Sequence, residues 1–370
     1  MPDGLDIPDV DAASLVSAEH LERAERYELF LRLEFVASQL VLLIVLLVYA
    51  RYGIRFARES AAGRIGTGML LGMLGLGLVW LSQVPFRVVE VWWQRRYDQS
   101  ELGYVDSLFE DWFALGAAFL FISLALVIVM AIAGRFPRYW WVGAAPVFVA
   151  LAALFAFITP FLFPTYTADP ELRADARRFA REQGIEPVRV AVEDVSAYTQ
   201  SPNAYAAGYG PTKRVVFWST LLDGRFSDGE VRVVLAHELG HHSRNHIPEG
   251  IAWYALFAIP GTWLIARATR RRGGMAQPEA VPLGLLVLVV LQLLSLPLQS
   301  AISRHMEAEA DWVALNTTDD PASARALFRH FSTEGLVDPD PPAWSRLLFD
   351  SHPSIVERVG LVEVWRSRNP

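Results

Sequence analysis

Residues 235–246 read LAHELGHHSRNH, which places four histidines and one glutamate within twelve positions of a chain that holds eight histidines in all. His237, Glu238 and His241 form the pattern H-E-x-x-H. On a helix, positions i and i+4 lie on one face, so the two imidazoles can share one ion while Glu238 leans over an open coordination position. Nitrogen and carboxylate donors with one position left for water suit zinc. A zinc ion held there would bring the pKa of water from about 15.7 toward about 7, and Glu238 would accept that proton and pass it to a leaving amine. The alternative is a coincidence of letters on a surface helix, against which the scarcity of histidine speaks. On a continuous helix His242 is turned about 100° from His241, and His246, at +5, is also off the ligand direction. Packing or helix-end hydrogen bonding is the expected role of both, and His305 is read as structural.

A catalytic zinc site needs a third protein ligand. Residues 303–314, SRHMEAEADWVA, offer Glu307 and Asp311, again i and i+4. One carboxylate can bind the ion while the other orients a ligand histidine through its second ring nitrogen. Spacing does not say which does which. Glu309 points about 200° away from Glu307 round the helix and cannot share its face. A solvated acidic face is the competing reading.

The surrounding chain is oily: 370 residues, 53 % hydrophobic and 20 % charged. Six segments, 31–50, 66–86, 112–133, 139–163, 251–268 and 281–302, are long and apolar enough to cross about 30 Å of hydrocarbon, for which roughly 20 helical residues suffice. Gly68 and Gly72 in the second are spaced as GxxxG, which lets two helix backbones approach within a bundle. The N-terminal MPDGLDIPDVDAASL is acidic and has no apolar core, so internal spans and not a cleaved signal are expected to direct insertion. Residues 15–30 can form a helix of alternating charge, read as a solvated or interfacial lead-in. With no cysteine, disulfides and thiolate ligands are excluded and any metal is held by His, Asp or Glu. A net charge of −7 and no basic run interleaved with aromatics exclude a nucleic-acid partner.

The expected organisation is a region of four spans (1–163), a first catalytic segment (164–250), a membrane hairpin (251–302) and a second catalytic segment (303–370). In the insertion, Asp169 to Gln183 reads as helix, VRVAVEDVS and RVVFW as short strands, and Ser227 as the cap of the H-E-x-x-H helix. A last helix begins near Ser354. The fold class is mainly α: a polytopic bundle of about six spans carrying a small α+β zincin-type domain built from the 164–250 insertion and the 303–370 tail.

Four ordered motifs between residues 200 and 360, HELGH, SRHMEAEAD, SPNAYAAGYG and SHPSIVERV, resemble those of the integral-membrane gluzincins that include the CAAX prenyl proteases type 1 and the bacterial heat-shock membrane protease. Over the first 165 residues the similarity is general, and the prenyl proteases have seven spans. The resemblance implies one zinc per chain on His237, His241 and Glu307, Asp311 behind a ligand histidine, and Glu238 as general base and acid. It implies that the backbone around Asn203 and Ala204 forms an edge strand on which an extended peptide adds itself. Arg304 and His352 become candidates to stabilise the oxyanion formed at a peptide carbonyl, with a salt bridge or helix cap as the alternative.

The expected function is a membrane zinc metalloendopeptidase acting on membrane-associated, hydrophobic or lipidated peptides and proteins, CAAX-type processing among them. The partners are then such a substrate and the lipid bilayer, and the location is multi-pass in a prokaryotic plasma membrane. Arginines 51, 55, 58, 64, 135, 138 and 270–272 lie in the loops opposite the catalytic segments, which argues for an external site; the resemblance argues for a cytoplasmic one, and the reading leans to the latter. A catalytically silent chaperone or scaffold with a structural zinc site is the alternative. A zinc transporter would want acids and histidines inside the spans, which show almost none.

Overall fold

The computed structural model describes residues 6–110, 112–196 and 199–369. Helices α1 (Ala18–Tyr52), α2 (Ile54–Glu59), α3 (Gly63–Arg96), α4 (Tyr104–Glu110), α5 (Trp112–Arg135) and α6 (Trp140–Ile158) make up the first half. Strand β1 (Tyr166–Thr167), helix α7 (Pro170–Glu182), strands β2 (Arg189–Glu193), β3 (Ala204–Ala207) and β4 (Arg214–Trp218), and helix α8 (Asp228–Ser243) form the insertion. Helices α9 (His246–Thr269), α10 (Val281–Thr318), α11 (Pro321–Glu334), α12 (Ala343–Leu348) and α13 (Ile355–Arg368) complete the chain. The divisions drawn at 250/251 and 302/303 fall inside α9 and α10, which run unbroken from apolar to polar sequence.

Five stretches among the described residues are long and apolar enough to span a bilayer: Ala18–Tyr52, Gly63–Arg96, Trp140–Phe161, His246–Arg272 and Pro278–Thr318. The sixth expected span, 112–133, coincides with α5, whose first turns lie partly outside the residues with described side chains. Its Phe119–Arg135 part is apolar but shorter. Gly68 and Gly72 do serve packing within the bundle: the side chains of Met130 and Leu126 of α5 occupy the space a Cβ at either would need. The charged lead-in is helical and continuous with the first apolar stretch. It is the start of α1, and Leu15 and Val16 before it are buried in the core of the polar half.

That core is assembled from both polar segments. Phe179 of α7, Val192 of β2, Phe217 of β4, Leu235 and Leu239 of α8, Leu315 of α10, Phe328 of α11 and Val362 of α13 share one buried cluster. The sheet has the order β1-β2-β4-β3; β2 and β4 are parallel, and β1 and β3 pair antiparallel at the two edges. Local chemistry sets the helix starts. Ser227 and Glu230 exchange a capping box at α8, Asp169 accepts from the first turn of α7, and Ser354 and Glu357 form a second capping box at α13.

Helices α8 and α10 cross with almost nothing between them. A Cβ on Gly240 would stand 3.3 Å from the Ala310 Cα, the Ala310 carbonyl oxygen and the Val313 Cβ. Two of those three atoms are backbone and cannot swing aside. Gly240→Val is therefore expected to push the helices apart and to destabilise the protein by about 1–3 kcal/mol, the usual range for overpacking. Thermal unfolding in detergent checks this, and an unchanged midpoint would show that the crossing tolerates a side chain.

Candidate metal centre

The crossing sets three side chains face to face. From α8, His237 and His241 present their Nε2 atoms to one another at 3.2 Å. From α10, Glu307 approaches with Oε2 at 3.1 Å from His237 Nε2 and Oε1 at 3.5 Å from His241 Nε2. Metal–nitrogen bonds of about 2.0 Å in a tetrahedron give ligand-to-ligand edges of about 3.3 Å. The three measured separations bracket that edge. Among the described residues these three form the group of His, Asp and Glu side chains able to hold an ion.

The outer nitrogens are also held. His237 Nδ1 lies 2.9 Å from Asp311 Oδ1, so a proton on Nδ1 points to the carboxylate and the Nε2 lone pair points at the site. Asp311 is in turn gripped by both arms of Arg358, whose Nε donates to Oδ2 at 2.8 Å and Nη2 to Oδ1 at 2.6 Å. The Arg358 guanidinium lies 4.2 Å over the Phe328 ring. His241 Nδ1 sits 2.9 Å from His246 Nδ1, and His246 Nε2 lies 3.4 Å from Glu309 Oε2. Each ligand histidine thus has a partner fixing its ring and aiming Nε2 inward. The donor set and its orientation fit zinc. Burial opposes charge on His237, but the hydrogen bonds to Asp311 and Glu307 outweigh it and carry its pKa up to about 10 without metal.

Glu238 is 7 % exposed and lines a cleft of about 80 Å³ with His237, His352, Asn203 and Ala204; Leu221, Phe328 and Phe331 supply apolar walls. Ala204 starts β3, an edge of the sheet, and the carbonyl of Asn203 accepts the Trp218 amide at 2.9 Å, which holds the strand in register. His352 is half exposed, with Nε2 3.3 Å from Glu307 Oε2. Arg304 is elsewhere. Its Nη1 donates to the carbonyl of Asp350 at 2.8 Å and to that of Arg346, tying down the segment that leads to His352.

Two partners escaped the sequence. The helical wheel turned His246 away from the site because it assumed one continuous helix. In fact α8 ends at Ser243, Asn245 takes a left-handed φ of 60°, and the chain turns back to bring His246 behind His241. Glu309, on the opposite face from Glu307, is what His246 meets. Arg358 closes the motif SHPSIVERV, so its letter was in view, but no spacing rule says that it reaches Asp311. His242 keeps its expected role, with Nε2 donating to the Arg214 carbonyl at 3.0 Å.

The profile of peptidase family M48 matches residues 166–366. The uncharacterized metalloprotease YhfN of Bacillus subtilis is 29 % identical over 258 residues, covering 65 % of this chain and 60 % of its own length. A CAAX prenyl protease 1 homolog of Oryza sativa subsp. japonica is 26 % identical over 254 residues, covering 65 % and 59 %. A protease HtpX homolog of Acidiphilium cryptum is 31 % identical over 270 residues, covering 67 % and 87 %. The chain thus spans about 60 % of the first two. The crystal structure of S. mikatae Ste24p superposes with a TM-score of 0.72 at 20 % identity, covering 96 % of this chain and 92 % of that one, a likeness of fold.

Asp311→Asn keeps the shape but removes the charge that holds His237 and answers Arg358. Zinc affinity is expected to fall about 10- to 100-fold in a chelator competition titration; unchanged affinity would show that His237 needs no such support. Burial holds His242 neutral, with its pKa down to about 4. The folded value lies below the unfolded one of about 6.5, so its contribution is complete above pH 6.5 and is lost as pH falls toward 4. His242→Gln keeps a donor for Arg214 but cannot titrate, and its thermal unfolding should be less acid-sensitive than wild type across that window. An identical slope would overturn the assignment.

Proposed function

The chain belongs to peptidase family M48, and on that premise we propose that it is a multi-pass membrane zinc metalloendopeptidase, with one zinc on His237, His241 and Glu307. The observation that carries this reading is the convergence of those three donor groups, with Glu238 lining the adjoining cleft. Bound there, zinc supplies Lewis acidity, lowering the pKa of a water toward about 7. Every further role falls to the chain. Glu238 accepts the proton of the attacking water and delivers it to the leaving amine. The free edge of β3 at Ala204, with Asn203 beside it, takes an extended peptide antiparallel and presents its carbonyl to the cleft. His352, at the mouth, donates to the oxyanion that forms on that carbonyl. Arg304 positions the segment bearing His352 and does not itself meet substrate. Asp311 and Arg358 keep the His237 ring from turning.

The substrates are membrane-associated peptides or proteins, hydrophobic or lipidated, because the cleft stands where α9 and α10 leave their apolar stretches. The CAAX prenyl protease homolog among the relatives supports C-terminal CAAX processing as one such reaction. We assign the polar half, formed by 164–250 and 303–370, to the cytoplasmic face of a prokaryotic plasma membrane, following the resemblance over the arginine count. A silent scaffold would have no need of Glu238 in the cleft.

Glu238→Gln should bind zinc as wild type does and lose peptide hydrolysis by at least about 10²-fold, the lower range for a general acid–base group. Comparing the membrane proteomes of cells expressing either form tests activity and identifies substrates, which accumulate uncut in the variant. A zinc-loaded variant with normal processing would sink the reading.

A further inference from the structure

A separate cleft of about 700 Å³ opens between α7 and the β1–β2–β4 part of the sheet, sharing no residue with the metal cleft. Four arginines line it. Arg173 and Arg177 are i and i+4 on α7, and therefore on one face of that helix. Arg189 and Arg214 are direct partners in the parallel β2–β4 register. Like charges set side by side on neighbouring strands are destabilising. No carboxylate among the described residues stands within salt-bridge distance of any of the four. The other two arginines of α7 are paired, Arg178 with Asp175 at 2.7 Å and Arg181 with Glu186 at 3.6 Å. Glu186 is also the one carboxylate lining the cleft, so its charge is already engaged. Burial and the neighbouring Arg189 both lower the pKa of Arg214, the mark of a cationic group without a counter-charge.

The cleft also has a fixed relation to the membrane. Arg214 Nη1 donates to the carbonyl of Pro160 at 2.6 Å, within the apolar stretch that ends at Phe161. Tyr209, in the turn between β3 and β4, donates to the Ala153 carbonyl of α6 at 3.1 Å. Phe161 and Tyr166, 59 % and 55 % exposed, stand beside the opening. Guanidinium groups take phosphate oxygens in a planar two-point grip. Basic pockets where a span meets the surface are the setting in which lipid headgroups are held.

We propose that this cleft binds the phosphate of an anionic phospholipid headgroup at the bilayer surface. The paired arginines of helix and sheet close on the phosphodiester from two sides, and the volume leaves room for its glycerol. Seated there, the lipid holds the sheet that carries the edge strand at a set height over the membrane. The same chemistry would accept free inorganic phosphate, so the test separates the two sources.

Full-length protein in neutral detergent is titrated with phosphatidylglycerol, phosphatidylcholine or inorganic phosphate, and bound lipid is counted by native mass spectrometry. Phosphatidylglycerol should bind about tenfold more tightly than phosphatidylcholine. Arg177→Gln/Arg189→Gln should abolish that preference, and Arg177→Lys/Arg189→Lys should retain part of it. Neither variant should melt below wild type by circular dichroism, since both side chains are exposed and the Gln pair removes one of two like charges set side by side. A preference that survives the Gln pair, or no preference in wild type, overturns the proposal. So does inorganic phosphate displacing the lipid at equal concentration, which would make this a site for soluble phosphate.

Discussion

The close crossing of α8 over α10 at Gly240 and Ala310 is the contact on which the rest depends. A Cβ at Gly240 would stand only 3.3 Å from the Ala310 main chain, so the two helices pack closely where no side chain separates them. Only at that separation can short side chains such as His237 and Glu307 meet with edges near 3.3 Å. Arg358, brought in by α13, completes the arrangement by neutralising Asp311 in a place where an unpaired carboxylate would be costly. With His246 of α9 behind His241, the centre is built from four helices, α8, α9, α10 and α13, and no single motif is sufficient.

The same helices join the centre to the membrane. Helix α10 runs 38 residues without a break, about 57 Å, from the apolar hairpin through Glu307 and Asp311 to Thr318. Helix α9 starts at His246, behind a ligand histidine, and continues as a span. Two elements that enter the bilayer thus carry groups of the metal centre, and no flexible linker separates them. On the proposed function, a membrane-associated substrate would reach the cleft along these helices without crossing bulk water, which would give the oily composition a use.

Much of this was legible in the letters. Capping chemistry located α7, α8 and α13 because Asp169, Ser227 and Ser354 satisfy amide groups within one turn, an interaction that is local by nature. The i and i+4 spacings of His237 with His241 and of Glu307 with Asp311 survived because each pair lies inside one regular helix. His246 was misread at the point where regularity stops: one left-handed residue, Asn245, invalidates any extrapolation of angle past Ser243. The resemblance makes Arg304 a candidate for the oxyanion, with a structural role as the alternative, and carbonyls of the segment 346–350, remote in sequence, accept from its guanidinium. The lead-in at 15–30 reads as solvated or interfacial because its charges alternate, but Ala24 and Tyr27 are buried against Tyr97 and Leu336, partners that no local pattern reveals.

What the sequence by itself determined was whatever repeats within a few residues: the apolar lengths that span a bilayer, the helix starts, and the candidate histidine and carboxylate donors. The tertiary structure alone decided which carboxylate meets His237 Nε2 beside His241 and which stands behind the ring at Nδ1. Glu307 and Asp311 are equivalent in spacing and chemistry, and only the side from which α10 approaches His237 distinguishes Nε2 from Nδ1. It likewise decided that four arginines from a helix and two strands share a cleft, since like charges do not seek each other and nothing local brings them together. The backbone pairing of β2 with β4 and the packing of α7 against the sheet impose that juxtaposition.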